Sequence, residues 1–259
     1  MTSKVVRFYL ASRKALNRMT GLLDAGFIGF WLGALNRGQL HAVSEFAFER
    51  RKKYWTDEHN LQGLWEWERE PLERYFQGRR KLLVPAVGAG REILALRRLG
   101  YEAIGFDPHP GLVELANRLL DREGMTADVR VAPWDRCPED DEMYDGVIIG
   151  WGGYMHIRGR SKRIAFLRQL RDRVKVGSPV LLSFFVADTN EGTLKFISRI
   201  GGLVAYLMGH EDVEVGDYLA PDYAHYFTRD RLAEELKEGG FDLVFFGTED
   251  YGHAVAVAV

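Results

Sequence analysis

The chain has 259 residues, 46% hydrophobic and 28% charged, a composition that excludes collagen-like, disordered and disulfide-stapled classes. With 35 Lys and Arg against 37 Asp and Glu the net charge is −2, so no global basic footprint points to nucleic acid or to a membrane. Cys137 is the only cysteine, which excludes an internal disulfide, leaves no cysteine cluster for a metal and fits a reducing cytoplasm; no metal is expected.

Residues 1–80 carry 14 basic and 9 acidic residues, against 21 and 28 in the remainder. They are rich in helix formers and hold Trp31, Trp55, Trp65 and Trp67. This predicts an N-terminal helical cap, either packed on a sheet or also lining a substrate pocket with residues such as Trp31. The stretch Met19–Asn36 is apolar apart from Asp24, but the internal charge and four glycines argue against a spanning helix. Nor do the first residues read as a signal peptide, since basic residues and no small-residue cleavage site surround the first apolar run.

From Lys81 the sequence alternates short apolar runs with amphipathic stretches, the pattern of βαβ units on a parallel sheet. Strands are predicted at Lys81–Val87, Ala103–Phe106, Val129–Ala132, Tyr144–Gly150 and Val180–Val186. Helices are predicted at Arg91–Leu99 and Gly111–Arg122, and in a basic stretch whose Ile164, Leu167, Leu170 and Val174 face inward. A helix over 228–239 ends at Gly239-Gly240, and Phe241–Phe246 and His253–Val259 close the chain. Their connection is too short for a helical crossover, so the last pair is an antiparallel hairpin. The expected architecture is a doubly wound, mostly parallel seven-stranded α/β sheet, Rossmann-like, over residues 81–259. Residues 187–227 form a lid insertion in it.

The first strand runs into Gly88-Ala89-Gly90 and then directly into a helix, so backbone N–H groups at that helix start face whatever lies above the strand end. Asp107, followed by Pro108, ends the second strand, where a carboxylate can accept from both hydroxyls of a ribose. Together they point to an adenosine-containing cofactor.

The hairpin ending separates this sheet from that of a dinucleotide-dependent oxidoreductase, whose sheet continues in parallel. Over about Leu82 to Val259 the sequence resembles the class I S-adenosylmethionine-dependent methyltransferases. The resemblance rests on Val84-Pro85-Ala86-Val87-Gly88-Ala89-Gly90, Asp107, Tyr144-Asp145-Gly146-Val147-Ile148-Ile149 and the helix-plus-hairpin ending. It implies S-adenosyl-L-methionine as cofactor and S-adenosyl-L-homocysteine as product. Gly88 and Gly90 would approach the amino-acid part, and Asp107 with Pro108 the ribose. Two departures stand out. Val84 occupies the place of the family's acid and Ala86 that of its first glycine, so the methionine amino group needs other contacts, such as backbone carbonyls near Val84 and Trp151. After the third strand Pro133 replaces the family's acid, with Trp134 and Asp135 just beyond as candidates for stacking on adenine and accepting from its amine.

The fourth strand ends in Gly150-Trp151-Gly152-Gly153-Tyr154-Met155-His156. Trp151 and Tyr154 could face a sulfonium by cation–π attraction, and His156 is the candidate general base, since an unperturbed imidazole takes up a proton near neutrality. Tyr223, His225 and Tyr226 are candidates for a substrate wall. The expected activity is methyl transfer to oxygen or nitrogen of a small-molecule or peptide-like acceptor. A non-catalytic cofactor-binding module and a nicotinamide-dependent oxidoreductase are the alternatives. The loop after the fourth strand is not the Asn/Asp-Pro-Pro-aromatic loop of amino-methylating DNA enzymes, so nucleic acid is a poor fit, and no membrane partner is expected.

Overall fold

The structure is a computed structural model that describes residues 3–139, 142–187 and 191–259. Residues 188–190 of the expected insertion lie outside the described residues. In chain order the helices are α1 (Lys4–Ala34), α2 (Arg37–Arg50), α3 (Asp57–Asn60), α4 (Glu66–Tyr75), α5 (Arg91–Arg98), α6 (Pro110–Arg122), α7 (Arg160–Arg171), α8 (Glu191–Met208) and α9 (Arg229–Glu238). The strands are β1 (Lys81–Pro85), β2 (Glu102–Asp107), β3 (Arg130–Val131), β4 (Gly146–Ile148), β5 (Pro179–Val186), β6 (Asp217–Leu219), β7 (Tyr223–Phe227), β8 (Phe241–Gly247) and β9 (Gly252–Ala258).

The chain divides into two compact units, residues 1–44 with 187–223, and residues 45–186 with 224–259. The larger unit holds the sheet. Strands β3, β2, β1, β4 and β5 lie side by side and parallel, with Leu83 opposite Ile104 and Ile148 opposite Leu181. Then β9 pairs antiparallel to β5, with Leu181 opposite Val255, and β8 pairs antiparallel to β9. This is the expected mostly parallel sheet closed by a hairpin.

Burial explains why both faces are wound. Leu82, Val84, Ile148 and Leu181 share one core with Ile93 and Leu94 of α5 and Val113, Ala116 and Leu120 of α6. Their neighbours Leu83, Val147, Ile149, Val180 and Leu182 share the other with Phe166, Leu167 and Leu170 of α7 and Leu232 and Leu236 of α9. Successive strand residues point to opposite faces, so an unbroken apolar run demands a helical layer on each side. Helix starts are marked by side chains. His109 accepts from the Leu112 N–H ahead of Pro110 at the first position of α6, and Thr228 accepts from the Arg231 N–H to start α9.

Nine strands stand among the described residues where seven were expected. The additional ones, β6 and β7, and the long α8 all come from the 187–227 segment. The last part of that segment joins the main sheet, with Phe185 opposite Tyr226 in a parallel pairing of β5 and β7.

In the smaller unit, Ala25, Ile28 and Leu32 of α1 are buried with Ile197 and Ala205 of α8, Val213 and Tyr223. The helices cross at glycines. A Cβ on Gly33 would come 2.3 Å from the Gly201 carbonyl oxygen, and one on Gly201 3.0 Å from that of Gly29. Gly201-Gly202, which reads in the sequence as an interruption, is therefore a contact point inside a continuous helix. The His210 Nδ1 lies 3.0 Å from the Gly33 carbonyl, and the Ser198 hydroxyl donates to the Val213 carbonyl at 2.8 Å.

Candidate cofactor site at the strand carboxyl ends

The site grows from the end of β1. After Pro85 the backbone turns through Ala86 at φ +56°, a left-handed conformation uncommon for a residue with a Cβ. Ala86 is the residue standing at the family's first glycine, so the backbone keeps the glycine conformation although the glycine is absent. The close partners of Ala86 are glycines too. A Cβ at Gly150 would come 2.2 Å from the Ala86 carbonyl oxygen, and one at Gly153 2.4 Å from the Ala86 Cβ. The loops after β1 and β4 thus touch backbone to backbone.

Gly88 and Gly90 also take positive φ, and α5 begins at the next residue, Arg91. A Cβ on Gly88 would stand in open space. The Gly88 N–H donates to Asp107 Oδ2 at 2.9 Å, and the His109 N–H donates to Asp107 Oδ1 at 2.9 Å. Burial raises the Asp107 carboxyl to about pKa 6 against the lowering effect of both donors.

Ala86, Phe106, Pro108, Pro133, Trp134 and Gly153 line a cleft. It lies at the carboxyl ends of β1 to β4, where an open α/β sheet binds its ligands. Three of the residues expected there, Ala86, Pro108 and Trp134, meet in it. Trp134 also stands 5.5 Å from the His156 ring and 6.0 Å from Phe48, and Phe48 meets His156 edge-on at 5.4 Å. Asp135, half-buried, follows Trp134, and its carbonyl accepts from Gln169 Nε2 at 3.1 Å.

Trp151 begins the loop after β4. Its N–H donates to Glu92 Oε1 at 3.3 Å, and its ring packs among Tyr54, Trp65, Phe185 and Tyr251 at 5.8–6.4 Å between centroids. Behind it lies a buried ionic cluster that sequence reasoning missed. Arg91 donates to both oxygens of Glu68 at 2.7 and 2.6 Å and to Glu92 at 2.6 Å, and the Trp65 ring covers the guanidinium at 3.7 Å. Glu68 accepts also from the Trp65 N–H at 2.7 Å, and burial raises its carboxyl above the ordinary range. Two carboxylates around one guanidinium leave an acidic balance beside the glycine loop. The available signal was the pair Arg91-Glu92 immediately after Gly90, since two charges in the first turn of a helix packed on a sheet call for partners.

Other expected residues lie elsewhere. Tyr154 is fully buried, stacks on Phe227 and donates its hydroxyl to Glu235 Oε2 at 2.7 Å, while Arg163 donates to both oxygens of that carboxylate at 2.9 and 2.7 Å. Burial and the neighbouring carboxylate raise the phenol well above its ordinary value, so it neither faces the cleft nor serves as a base there. The Val84 side chain is fully buried in the core beside α5, so only its backbone could face a ligand. His225 is buried with its ring centroid 4.6 Å from that of Phe227, and Tyr226 packs on Phe185 at 5.2 Å. Trp31 and Tyr223 belong to the smaller unit, Trp31 edge-on to Phe27 and Phe30 and Tyr223 donating to Asp217 Oδ1 at 2.7 Å.

The residues present suit S-adenosylmethionine. A buried carboxylate with unused lone pairs ends β2, an open glycine turn precedes α5, and a flat aromatic and proline wall follows β3. Residues 83–177 match the model of a family described as a methyltransferase domain. A demethylmenaquinone methyltransferase of Thermotoga maritima is 28% identical over 177 residues, covering 64% of this chain and 71% of the relative. Among solved structures, a SAM-dependent methyltransferase from Methanosarcina mazei superposes with a TM-score of 0.58 at 19% identity, over 76% of this chain and 99% of that one. The sugar N-methyltransferase KedS8 from Streptoalloteichus gives 0.56 at 19% identity, over 82% and 91%. The glycopeptide N-methyltransferase MtfA, solved with S-adenosylmethionine, gives 0.52 at 16% identity, over 74% and 85%. At these identities the structural matches establish the fold. Among the described residues no helix is long and apolar enough to cross a membrane.

Proposed function

We propose that this chain is a class I S-adenosylmethionine-dependent methyltransferase that transfers a methyl group to an oxygen or nitrogen of a small-molecule or peptide-like acceptor, at the cleft formed by the ends of β1 to β4. The observation that carries the reading is the cleft that Ala86, Pro108 and Trp134 line at the strand ends, with Asp107 next to Pro108 in the chain and bonded to the Gly88 N–H. Asp107 holds the ribose hydroxyls, the Gly88–Gly90 turn admits the amino-acid part, and Pro108, Trp134 and Asp135 flank the adenine. Glu92, beside the Trp151 N–H, offers the carboxylate that Val84 does not, and so faces the methionine ammonium.

Bound S-adenosylmethionine supplies an electrophilic methyl group; the protein has to align a nucleophile with it and exclude water. Phe48, Trp134 and His156 form an aromatic wall beside the cleft. In this reading His156 takes the proton from an acceptor hydroxyl or ammonium and Trp151 contributes to the wall. Tyr226 and His225 support the far side through Phe185 and Phe227. The names of the relatives, which include a demethylmenaquinone methyltransferase, a sugar N-methyltransferase and a glycopeptide N-methyltransferase, support a small-molecule or peptide-like acceptor.

The test has two arms. Calorimetric titration with S-adenosylhomocysteine and with NAD should give binding to the first alone, and transfer of a labelled methyl group should then be followed across quinols, amino sugars and short peptides. Binding of NAD in preference would overturn the cofactor assignment. Tight S-adenosylhomocysteine binding with no transfer to any acceptor class would favour the non-catalytic module.

A further inference from the structure

The first two-thirds of α1 stands out by its exposure. Every described residue from Ser3 to Asp24 is exposed, although the helix is continuous from Lys4 to Ala34. The exposed side chains are not those of a solvated helix. Val5, Phe8, Tyr9, Leu16, Met19 and Leu23 recur at three- and four-residue steps and so form one apolar stripe, with Phe8 76% and Leu23 67% exposed. Polar side chains do not dilute it beyond Ser12 and Thr20.

The charges around the stripe are of one sign. Lys4, Arg7, Arg13, Lys14 and Arg18 precede the first acidic residue of the chain, Asp24. Lys4 and Arg13 flank the stripe, and Arg7, Lys14 and Arg18 lie on the opposite side. An apolar stripe bordered by cations is the pattern of a helix lying in a membrane interface, with rings and aliphatic side chains in the acyl boundary and cations at the headgroups. A stretch of this length is also marginal as an isolated helix in water, so its apolar face calls for a covering surface.

We propose that α1 docks this face onto the surface of a bilayer that carries anionic lipid. Charge decides between this occupant and a second copy of the chain. Two copies joined along the stripe would set Lys4 and Arg13 of each at the seam between two segments of net charge +5, whereas an anionic headgroup layer is attractive to every cation. The expectation of no membrane partner considered a spanning helix and the net charge of the whole chain. A helix lying on the surface is a different structure, and the charge that matters to it is local.

The experiment uses the full chain in co-sedimentation with vesicles of equal parts phosphatidylcholine and phosphatidylglycerol, and with vesicles of phosphatidylcholine alone. The chain is expected to sediment with the anionic vesicles, to be released by salt, and to bind the neutral ones far more weakly. Lys4→Gln and Arg13→Gln should each weaken binding about fivefold, the contribution of one cation near such a surface. Phe8→Ser and Leu23→Ser should weaken it as well. All four positions are exposed, so an unchanged thermal shift with S-adenosylhomocysteine serves as the folding control. Absence of binding to anionic vesicles, equal binding to both kinds, or binding indifferent to the Lys4 and Arg13 changes would overturn the proposal. Sedimentation velocity showing a dimer that Phe8→Asp dissolves, without vesicle binding, would give the face to a second copy.

Discussion

Asp107 accepts the Gly88 N–H at 2.9 Å, so the acid that ends the second strand also fixes the turn that follows the first. One carboxylate thereby ties together the two elements expected to hold opposite ends of the cofactor. Removing it loosens both.

The pH dependence of cofactor binding follows from this residue. Burial raises the Asp107 carboxyl to about pKa 6 in the protein. A ribose donating two hydroxyls prefers the carboxylate, so binding below that pH must first displace a proton. S-adenosylhomocysteine affinity is expected to be flat above pH 7 and to fall towards tenfold per pH unit below about 6. The contribution of Asp107 to stability has the opposite sign. A carboxyl raised above its unfolded value favours folding most when protonated, so that contribution is lost as pH rises through the window up to about 6. Titration calorimetry from pH 5 to 8, on the order of two units around that value, checks the binding slope, which Asp107→Asn should remove along with most of the affinity.

The Ala86 backbone is the second testable feature. A Cβ at Gly153 would fall 2.4 Å from that of Ala86, so Gly153→Ala forces two loops apart and should cost about 1–3 kcal/mol. Ala86→Gly alone relieves a left-handed alanine, worth about 1–2 kcal/mol, but gains flexibility in the unfolded chain, for a small net stabilisation. The informative measurement is the double variant. Denaturant midpoints should show Ala86→Gly recovering much of the loss in Gly153→Ala, a coupling absent if the two sites act independently.

The buried cluster behind Trp151 gives a prediction of larger size. Arg91 stands between Glu68 and Glu92, all three nearly inaccessible. Arg91→Ala leaves two buried carboxylates without their cation, and such a loss costs about 3–5 kcal/mol. Chemical denaturation should show that drop. A change below about 1 kcal/mol would be the behaviour of a surface pair and would contradict the buried cluster.

How far the sequence led can be seen from individual elements. The run Leu82-Leu83-Val84 and its counterparts at 147–149 and 180–182 announced strands buried on both faces, and the glycine turn with Asp107 announced where a nucleotide would sit. Those signals are local in sequence. What stayed hidden depends on distant partners. Glu68 and Arg91 are 23 residues apart and meet only because α4 and α5 pack on one side of the sheet. Gly201-Gly202 is a helix breaker by propensity and a helix crossing in the fold, because the tertiary contact with Gly29 and Gly33 outweighs a cost of about 1 kcal/mol per glycine. Tyr154, which sits two residues before His156 in a loop at the strand ends, points inward because Glu235 and Arg163 await it there.

Tyr154→Phe tests that inward assignment. The lost hydroxyl leaves Glu235 with the two donors of Arg163, so the cost should be about 1.5–3 kcal/mol in stability, as for a bond to a charged acceptor. S-adenosylhomocysteine affinity and turnover should stay near those of the unaltered chain at temperatures where both are folded. A turnover loss with stability intact would return Tyr154 to the reaction.

His156 is the residue on which the chemistry should depend. Its ring lies 5.4 Å from that of Phe48 and 5.5 Å from that of Trp134, which lines the cleft. Loss of a general base typically lowers rate by about 10²–10⁴-fold. His156→Ala should therefore keep S-adenosylhomocysteine affinity and lose most of its turnover. Because Asp107 titrates in the same range, the pH profile has to be read at saturating cofactor, where the Asp107 contribution to binding drops out. Under those conditions the rate for a hydroxyl or ammonium acceptor should fall as pH drops through the histidine range, and His156→Ala should lose that limb. A carboxylate acceptor needs no base, so for it the limb should be reversed and His156 should act as an orienting donor. Turnover of His156→Ala matching the unaltered chain on both sides of that range would remove His156 from the reaction and leave the aromatic wall as an acceptor surface alone.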